Sequence, residues 1–179
     1  MLKLNNWNKI RMINKKTINI FTENIYPDWK LDELKVIKKT RRIFDYFLEN
    51  LLEESCLFGF NFETITFDIL FCGGEKTHQI NKEYREKDYA ADIITFAIFA
   101  DDDSKLILDE DINLGEIILA LDKVKEEATK QNVEDEYELY FLIAHGILHL
   151  LGFDHQTEED YNFVVELQKK ALEYALGKK

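Results

Sequence analysis

The histidines of this chain are concentrated in one short segment that could bind a metal ion. Three of its 4 histidines, His145, His149 and His155, lie in residues 144–155, which read AHGILHLLGFDH. On a helix, histidines four residues apart place their rings on the same face. Gly152 stands where a left-handed residue can end that helix, so that His155 can turn back toward the pair. Three neutral imidazoles with a fourth position open are typical of a catalytic zinc site, and we predict one bound ion, Zn²⁺.

A plainer interpretation treats the same histidines as core residues. The segment from Leu139 to Phe153 is mostly apolar, and a buried histidine can satisfy its ring nitrogens locally. That interpretation gives no reason for the glycine between the second and third histidines, so we favour the metal site. Imidazole ligands also accept nickel, copper and iron, and these metals stay open as alternatives to zinc.

The spacing HxxxHxxGxxH is also found in a class of zinc peptidases. In those enzymes a glutamate follows the first histidine and acts as the base, whereas this chain has Gly146 at that position. They also need a methionine turn after the third histidine, but Met1 and Met12 both lie far upstream. We therefore rank hydrolysis of a peptide below other hydrolytic functions.

The composition is that of a globular protein with one core. The 179 residues are 46% hydrophobic and 32% charged, which suits a single domain. An apolar run of membrane-spanning length and a secretory signal are both lacking, so we expect a cytoplasmic protein with no membrane partner. Cys56 and Cys72 are too few for a disulfide framework, and we interpret them as free thiols.

Charge is distributed unevenly along the chain. The formal net charge of -12 argues against indiscriminate nucleic-acid binding, which requires neutralisation of phosphates, and we expect no DNA partner. Residues 1–16 are basic and show no clean periodicity, so we interpret them as an N-terminal extension ahead of a single domain at residues 17–179. The acidic residues from Asp101 to Asp111 predict a solvated loop.

Apolar periodicity predicts strands interleaved with helices. The predicted strands are residues 17–23, 63–71, 92–99 and 115–121. The first predicted helix follows Pro27, and the others cover residues 75–84, 122–131, 134–151 and the chain after Thr157. The first helix should bury an apolar stripe of Leu31, Leu34, Ile37, Ile43, Phe44, Phe47, Leu48 and Leu51. Thr157 and Asp160 resemble a capping box. We predict an α+β fold, a single layered domain with a small four-stranded mixed sheet packed by about five helices and the metal site at a helix end and the following turn.

Several sequence blocks together carry a family resemblance. The segment His145–His155 and the blocks at residues 81–88 (NKEYREKD), 92–96 (DIITF) and 114–117 (LGEI) resemble the YbeY family of bacterial metal-dependent endoribonucleases. Phe153 stands where the family usually has tyrosine. Ala90-Ala91 stand where the family usually has Pro-Thr. Ala97 stands where it usually has proline, and Ala120 where serine is common.

The resemblance implies a single-strand-specific endoribonuclease that acts in ribosomal RNA maturation, at the 3′ end of small-subunit RNA, and in ribosome quality control. The implied partners are single-stranded ribosomal RNA and ribosome or small-subunit proteins. Arg85 matches the family's functional arginine and would clamp the scissile phosphate through its planar guanidinium. The alternative role for Arg85 is a surface ion pair with Asp88 or a neighbour.

Two polar residues near these motifs have open roles. Asp154 could orient an imidazole as a hydrogen-bond acceptor, carry a proton or cap the turn, and we place the first role ahead of the others. His78 lies outside the histidine motif, and we predict a surface or packing residue and not a fourth ligand.

Three functions remain after this reading of the sequence. The leading one is a metal-dependent RNA hydrolase, since a zinc site both lowers the pKa of water and polarises a phosphoryl oxygen. The second is a ribosome assembly factor in which the metal is mainly structural, and the acidic net charge suits such a protein partner. The third is a metallohydrolase of another substrate such as a peptide.

Overall fold

The part of the chain that this computed structural model describes, residues 16–99 and 111–177, contains four strands and five helices. In chain order they are β1 (Thr17–Asn24), α1 (Glu33–Leu51), β2 (Thr64–Cys72), α2 (Gly74–Tyr84), β3 (Ile93–Ala97), β4 (Asp111–Ala120), α3 (Leu121–Gln131), α4 (Asp135–Leu150) and α5 (Glu158–Leu176). Residues 1–15 of the predicted extension 1–16, and the predicted acidic loop up to residue 110, lie outside the described residues. The α+β prediction is confirmed.

The strands form one mixed sheet in the order β1-β2-β4-β3. The pairs β1–β2 and β2–β4 are parallel, and β3 pairs antiparallel with β4 as an edge strand. β4 begins at Asp111, which pairs with Thr64, and the predicted start at Gly115 is therefore wrong. β3 ends at Ala97 and is shorter than predicted. Among the described strands, β3 therefore pairs on one side only, and it contacts α4.

The main core lies between one face of the sheet and helices α1, α4 and α5. Phe67 of β2 is fully buried and its ring centroid lies 5.3 Å from that of Phe44 in α1. Val36 in the first turns of α1 is 2% exposed, whereas Leu34 is 81% exposed. Residues two positions apart on a helix point in directions that differ by about 200°. The buried stripe therefore passes through Val36, and the prediction that Leu34 belongs to it is wrong.

Hydrogen bonds fix where α5, the helix that follows the histidine motif, begins. Thr157 Oγ1 accepts from Asp160 N at 3.1 Å, and Asp160 Oδ2 accepts from Thr157 N at 3.1 Å. This reciprocal pair is the predicted capping box, and it starts α5 directly after the histidine motif.

Among the described residues, no helix combines the length and the apolar character needed to cross a bilayer.

Helix α4 packs unusually close to β4 because residue 146 is a glycine. A Cβ atom built on Gly146 would lie 2.8 Å from Cδ1 and 2.9 Å from Cγ2 of Ile117. Carbon atoms pack at about 3.5–4.0 Å, so a larger residue here would push the helix off the sheet. The close approach sets the height of the neighbouring His145 above the sheet and places the end of α4 beside β3.

Candidate metal centre

His145 and His149 occupy one face of α4, one turn apart near its carboxyl end. Their Nε2 atoms lie 3.0 Å apart, and their ring centroids are separated by 4.6 Å. Both side chains are half-buried, since the rest of α4 at this level packs into the core. The prediction that the two imidazoles share one helix face is confirmed.

A left-handed glycine ends α4 and turns the chain back. Gly152 has φ +88°, its N–H donates to His149 O at 3.0 Å, and Phe153 N donates to Leu148 O at 2.9 Å. These bonds satisfy carbonyls of the last helical turn, as in other glycine-terminated helices. A Cβ atom on Gly152 would also meet Cys56 Cβ at 3.3 Å, so conformation and space both favour glycine.

The turn brings His155 to the other two histidines. Its ring centroid lies 5.2 Å from that of His145 and 5.3 Å from that of His149. One ligand nitrogen from each ring falls within a set whose members all lie within 4.8 Å of one another. Three imidazole nitrogens that converge on one point could hold a metal ion, and three protein ligands leave a coordination position open.

Burial keeps the two helical imidazoles neutral. It lowers the pKa of His145 to about 4, with the nearby His149 ring contributing in the same direction. Burial likewise lowers the pKa of His149, and the neighbouring His155 adds to that shift. A metal binds the neutral form of imidazole. His145 and His149 are therefore in their ligating protonation state at neutral pH, and the donor set of three imidazoles fits a zinc ion.

A buried glutamine from α5 contacts the outer nitrogen of His145. Gln168 is fully buried, and its Oε1 lies 3.4 Å from His145 Nδ1. Its Nε2 donates to Phe141 O at 3.0 Å, which orients the amide so that oxygen faces the ring. A carbonyl oxygen at this place favours a proton on Nδ1 and leaves Nε2 free as a ligand.

The three histidines form the floor of a cleft with a volume of about 680 Å³. One wall is β3, with Thr95, Phe96 and Ala97. The other side is the turn that carries Phe153 and Asp154. The cleft is open to solvent, so a substrate can reach the histidines from outside.

Arg85 reaches the same cleft from a different part of the chain. It follows Tyr84 at the carboxyl end of α2, where its N–H donates to Asn81 O at 3.0 Å. Its Nη1 lies 3.5 Å from Asn81 Oδ1, and the side chain is exposed along the cleft. Its positive charge also contributes to the lowered pKa of His149. The structure thus brings the predicted arginine and the three histidines together.

Asp154 lies in the turn between the second and third histidines of the cluster. Its Oδ1 accepts a hydrogen bond from His155 N at 2.8 Å, and this bond is the main cause of a pKa below the usual aspartate range. The carboxylate is exposed and lines the cleft. It is therefore ionised at neutral pH and braces the backbone at His155.

His78 lies apart from the cluster, on the exposed side of α2. Its Nε2 is 2.7 Å from Asp88 Oδ1, and the side chain is 43% exposed. The prediction of a surface residue is confirmed. This pairing also occupies Asp88, which the sequence had offered as an ion-pair partner for Arg85.

A sequence model of the family described as Endoribonuclease YbeY matches residues 26–175 of the chain. The chain belongs to the YbeY family. The match includes the histidine cluster and Arg85 and leaves out β1, so the family resemblance of the motif blocks is confirmed across most of the chain. The assignment makes this protein an endoribonuclease, a nuclease of the hydrolase class.

Individual relatives support the assignment. A protein named Endoribonuclease YbeY from Bacillus pumilus is 43% identical over 115 residues, which cover 62% of this chain and 72% of the relative. One from Fusobacterium nucleatum is 34% identical over 140 residues, covering 72% of this chain and 85% of the relative. The solution structure of a Thermotoga maritima protein covers 90% of this chain and 91% of its own, with a TM-score of 0.56 at 22% identity. This last likeness concerns the fold.

In this YbeY-family chain the departures from the usual motif fall at different depths. Ala97 lines the cleft, where a proline would stiffen the end of β3. Ala91 and Ala120 are buried, and Ala120 N donates to Asp92 O at 2.9 Å as part of the sheet edge. The cleft wall therefore departs from the family pattern at Ala97.

Gln168 is the residue of this YbeY site that sequence reasoning missed. Val164 and Leu167 are buried apolar residues of α5, and Gln168 lies on the same face, four residues after Val164. A polar residue within a buried stripe is a signal that could have found it, because buried amides need hydrogen-bond partners. Its contact with His145 depends on the packing of α5 against α4.

Proposed function

We propose that this protein is a zinc-dependent endoribonuclease that cuts single-stranded ribosomal RNA in the cytoplasm. The carrying observation is the convergence of three imidazoles and one guanidinium on a single open cleft. The finer assignment, maturation of the 3′ end of small-subunit RNA and ribosome quality control, rests on the family. In this proposal residues 17–179 form the metallo-endoribonuclease domain and residues 1–16 are an extension.

The histidines hold the metal in the proposed site. A zinc ion supplies Lewis acidity and lowers the pKa of water toward neutrality. His145, His149 and His155 provide three nitrogen ligands, and Gln168 holds the His145 ring in the tautomer that presents Nε2. The turn at Gly152 keeps His155 in reach of the other two.

Arg85 binds the substrate phosphate in the proposed reaction. A guanidinium is charged at every physiological pH and donates in a planar fork that matches two phosphate oxygens. Arg85 is anchored at its backbone by Asn81 and keeps an exposed head in the cleft. It fixes the scissile phosphate against the histidines and offsets the negative charge that develops there.

Asp154 keeps the third ligand in place. Its carboxylate holds the backbone N–H of His155 and, being ionised, accepts a proton at the mouth of the cleft. We assign it first to positioning His155 and second to carrying a proton. An Asp154→Asn variant keeps the size of the side chain and removes its basicity, so it separates these roles.

The test compares cleavage of single-stranded ribosomal RNA and metal content in the wild type, His149→Ala and Arg85→Ala. His149→Ala should lose metal and cleavage together, and Arg85→Ala should keep metal but lose cleavage. His78→Ala is the matched control, because this histidine lies outside the cluster and should affect neither quantity.

The alternative, a ribosome assembly factor with a mainly structural metal, predicts another pattern. The net charge of -12 would favour a basic protein over bare RNA as partner. Equal weak cleavage by wild type, His149→Ala and Arg85→Ala would mean that the nuclease activity belongs to a contaminant. Loss of folding on chelation together with that result would favour the assembly factor.

A further inference from the structure

Two exposed aromatic residues stand together on one side of the cleft. Phe96 lines the cleft and is 39% exposed, and Tyr84 at the end of α2 is 66% exposed. Their ring centroids lie 6.1 Å apart at an interplanar angle of 78°, an edge-to-face pair that supports both rings. Large aromatic side chains left this open to water usually have a binding role when they cluster at a site.

A third exposed ring stands beside the histidines. Tyr161, in the first turn of α5, is 50% exposed, and its ring centroid lies 5.5 Å from that of His155. Tyr161 N donates to Thr157 O at 3.0 Å, and Thr157 belongs to the capping box that fixes the start of α5. The ring therefore stands on a rigid helical turn next to the candidate metal ligand.

Arg85 links one aromatic side to the reaction. It follows Tyr84 directly in the chain and lines the cleft together with Phe96. A phosphate held by Arg85 against the histidines would have its adjoining nucleosides directed along the cleft, toward these rings. Every nucleobase has a π face, and an unpaired base stacks on an aromatic ring whatever its sequence.

The charge of the protein makes such contacts important. With a formal net charge of -12, the chain gains little affinity from general attraction to a polyanion. Stacking supplies affinity that does not require further phosphate contacts. It also requires bases that are free of a partner strand, since bases within a duplex are already stacked and paired.

We infer that the Tyr84–Phe96 pair and Tyr161 are nucleobase-stacking surfaces that bind unpaired RNA bases beside the scissile phosphate. This inference rests on the proposed ribonuclease function and gives it a physical basis for preferring single strands. Tyr84, Phe96 and Tyr161 act in substrate binding, and the histidines and Arg85 act at the phosphate.

The test measures KM for cleavage of a short single-stranded RNA by the full-length protein, and the Kd of the same labelled RNA in the presence of a chelator. Tyr84→Ala and Tyr161→Ala should each raise Kd by about 5- to 150-fold, the range for loss of one stacked base. KM should rise with Kd while metal content stays unchanged. Tyr161→Phe should bind as the wild type does, because it keeps the ring.

Phe163→Ala is the matched control on the same helix. Phe163 is 52% exposed, close to the value for Tyr161, but it lies two residues on and thus on the opposite side of α5. It should leave Kd and KM unchanged. An RNA of the same length with abasic sites should bind the wild type with a higher Kd than the intact RNA does. Tyr84→Ala and Tyr161→Ala should not raise the Kd of this abasic RNA further.

Two results would overturn the inference in different ways. If Tyr84→Ala and Tyr161→Ala bind RNA like the wild type while Arg85→Ala binds weakly, the protein recognises phosphate and these rings do not stack on bases. That result would leave the proposed ribonuclease function intact. If the wild type neither binds nor cleaves single-stranded RNA, the proposed function itself fails.

Discussion

Oε1 of Gln168 lies 3.4 Å from Nδ1 of His145, on the side of the ring that faces away from His149. We expect Gln168→Met, which keeps the approximate size of the side chain, to weaken metal binding by about 10- to 100-fold, the usual cost of losing a partner of a ligating histidine. Competition titration with a zinc chelator measures it. Gln131→Met, on the exposed end of α3, is the control. Equal affinity in both variants would mean that the amide does not orient the ring.

Gly152 and Gly177 allow the turn and the backbone strain to be separated. Both have positive φ, +88° and +70°, and both end a helix, so an alanine should cost about 1–2 kcal/mol of stability at either position. Gly152→Ala should also lower metal affinity, because it displaces the turn that returns His155. Gly177→Ala should leave metal affinity unchanged. Chemical denaturation and chelator competition on both variants test this, and a metal effect of equal size in both would contradict it.

Gly146 and Ile117 should behave as a coupled pair. Gly146→Ala gains about 1 kcal/mol of helix propensity but places a Cβ 2.8 Å from Ile117 Cδ1. Such overpacking costs about 1–3 kcal/mol, and we expect net destabilisation. Ile117→Ala removes Cδ1, Cγ2 and Cγ1, which would lie 2.8, 2.9 and 3.0 Å from that Cβ. The free energy of unfolding of the double variant should therefore be higher than the sum of the two single effects predicts. Strict additivity would show that the helix shifts freely away from the sheet.

Glu138 makes stability depend on pH. This residue of α4 is 2% exposed, and its Oε2 has no hydrogen-bond partner within the described residues. Burial, with smaller contributions from Glu127 and Asp92, raises its pKa from 4.5 to about 7. The folded state therefore keeps a proton that the unfolded state releases between these pH values. The free energy of unfolding should fall as pH rises through this window.

Glu138→Gln removes that proton equilibrium. In metal-free protein the variant should match the wild type in stability near pH 4 and exceed it above pH 7, by up to about 3 kcal/mol at about 1.4 kcal/mol per pKa unit. Denaturant titrations across this pH range measure the difference. Glu134→Gln, at the exposed start of the same helix, should follow the wild type. A constant difference between Glu138→Gln and wild type at all pH values would refute the mechanism.

Local patterns in the sequence predict much of this structure. Three predicted features depend on residues a few positions apart: the convergence of the three histidines, the left-handed Gly152 and the Thr157–Asp160 capping box. All three are confirmed. Helix α4 differs from its prediction by one residue at each end. Such features follow from backbone geometry and neighbouring side chains alone.

Features that depend on distant contacts were missed. The start of β4 at Asp111 follows from its pairing with Thr64 of β2, and polar residues at this end gave the segment the appearance of a loop. The role of Gln168 depends on the packing of α5 on α4, and Leu34 is exposed because the buried face of α1 is set by Val36. The strand order β1-β2-β4-β3 is likewise a property of the whole chain.

The three candidate ligands all come from residues 145–155, while Arg85 comes from another part of the chain. Closing a short loop takes less entropy than closing a long one, and local contacts form early in folding. Packing of α4, its turn and α5 places the three ligands and Gln168 without any residue of β3 or α2. Metal loading therefore reports on α4, its turn and the packing of α5, and RNA cleavage reports in addition on the docking of α2 and β3. A preparation with full metal content and little activity would point to incomplete folding and not to a damaged metal site.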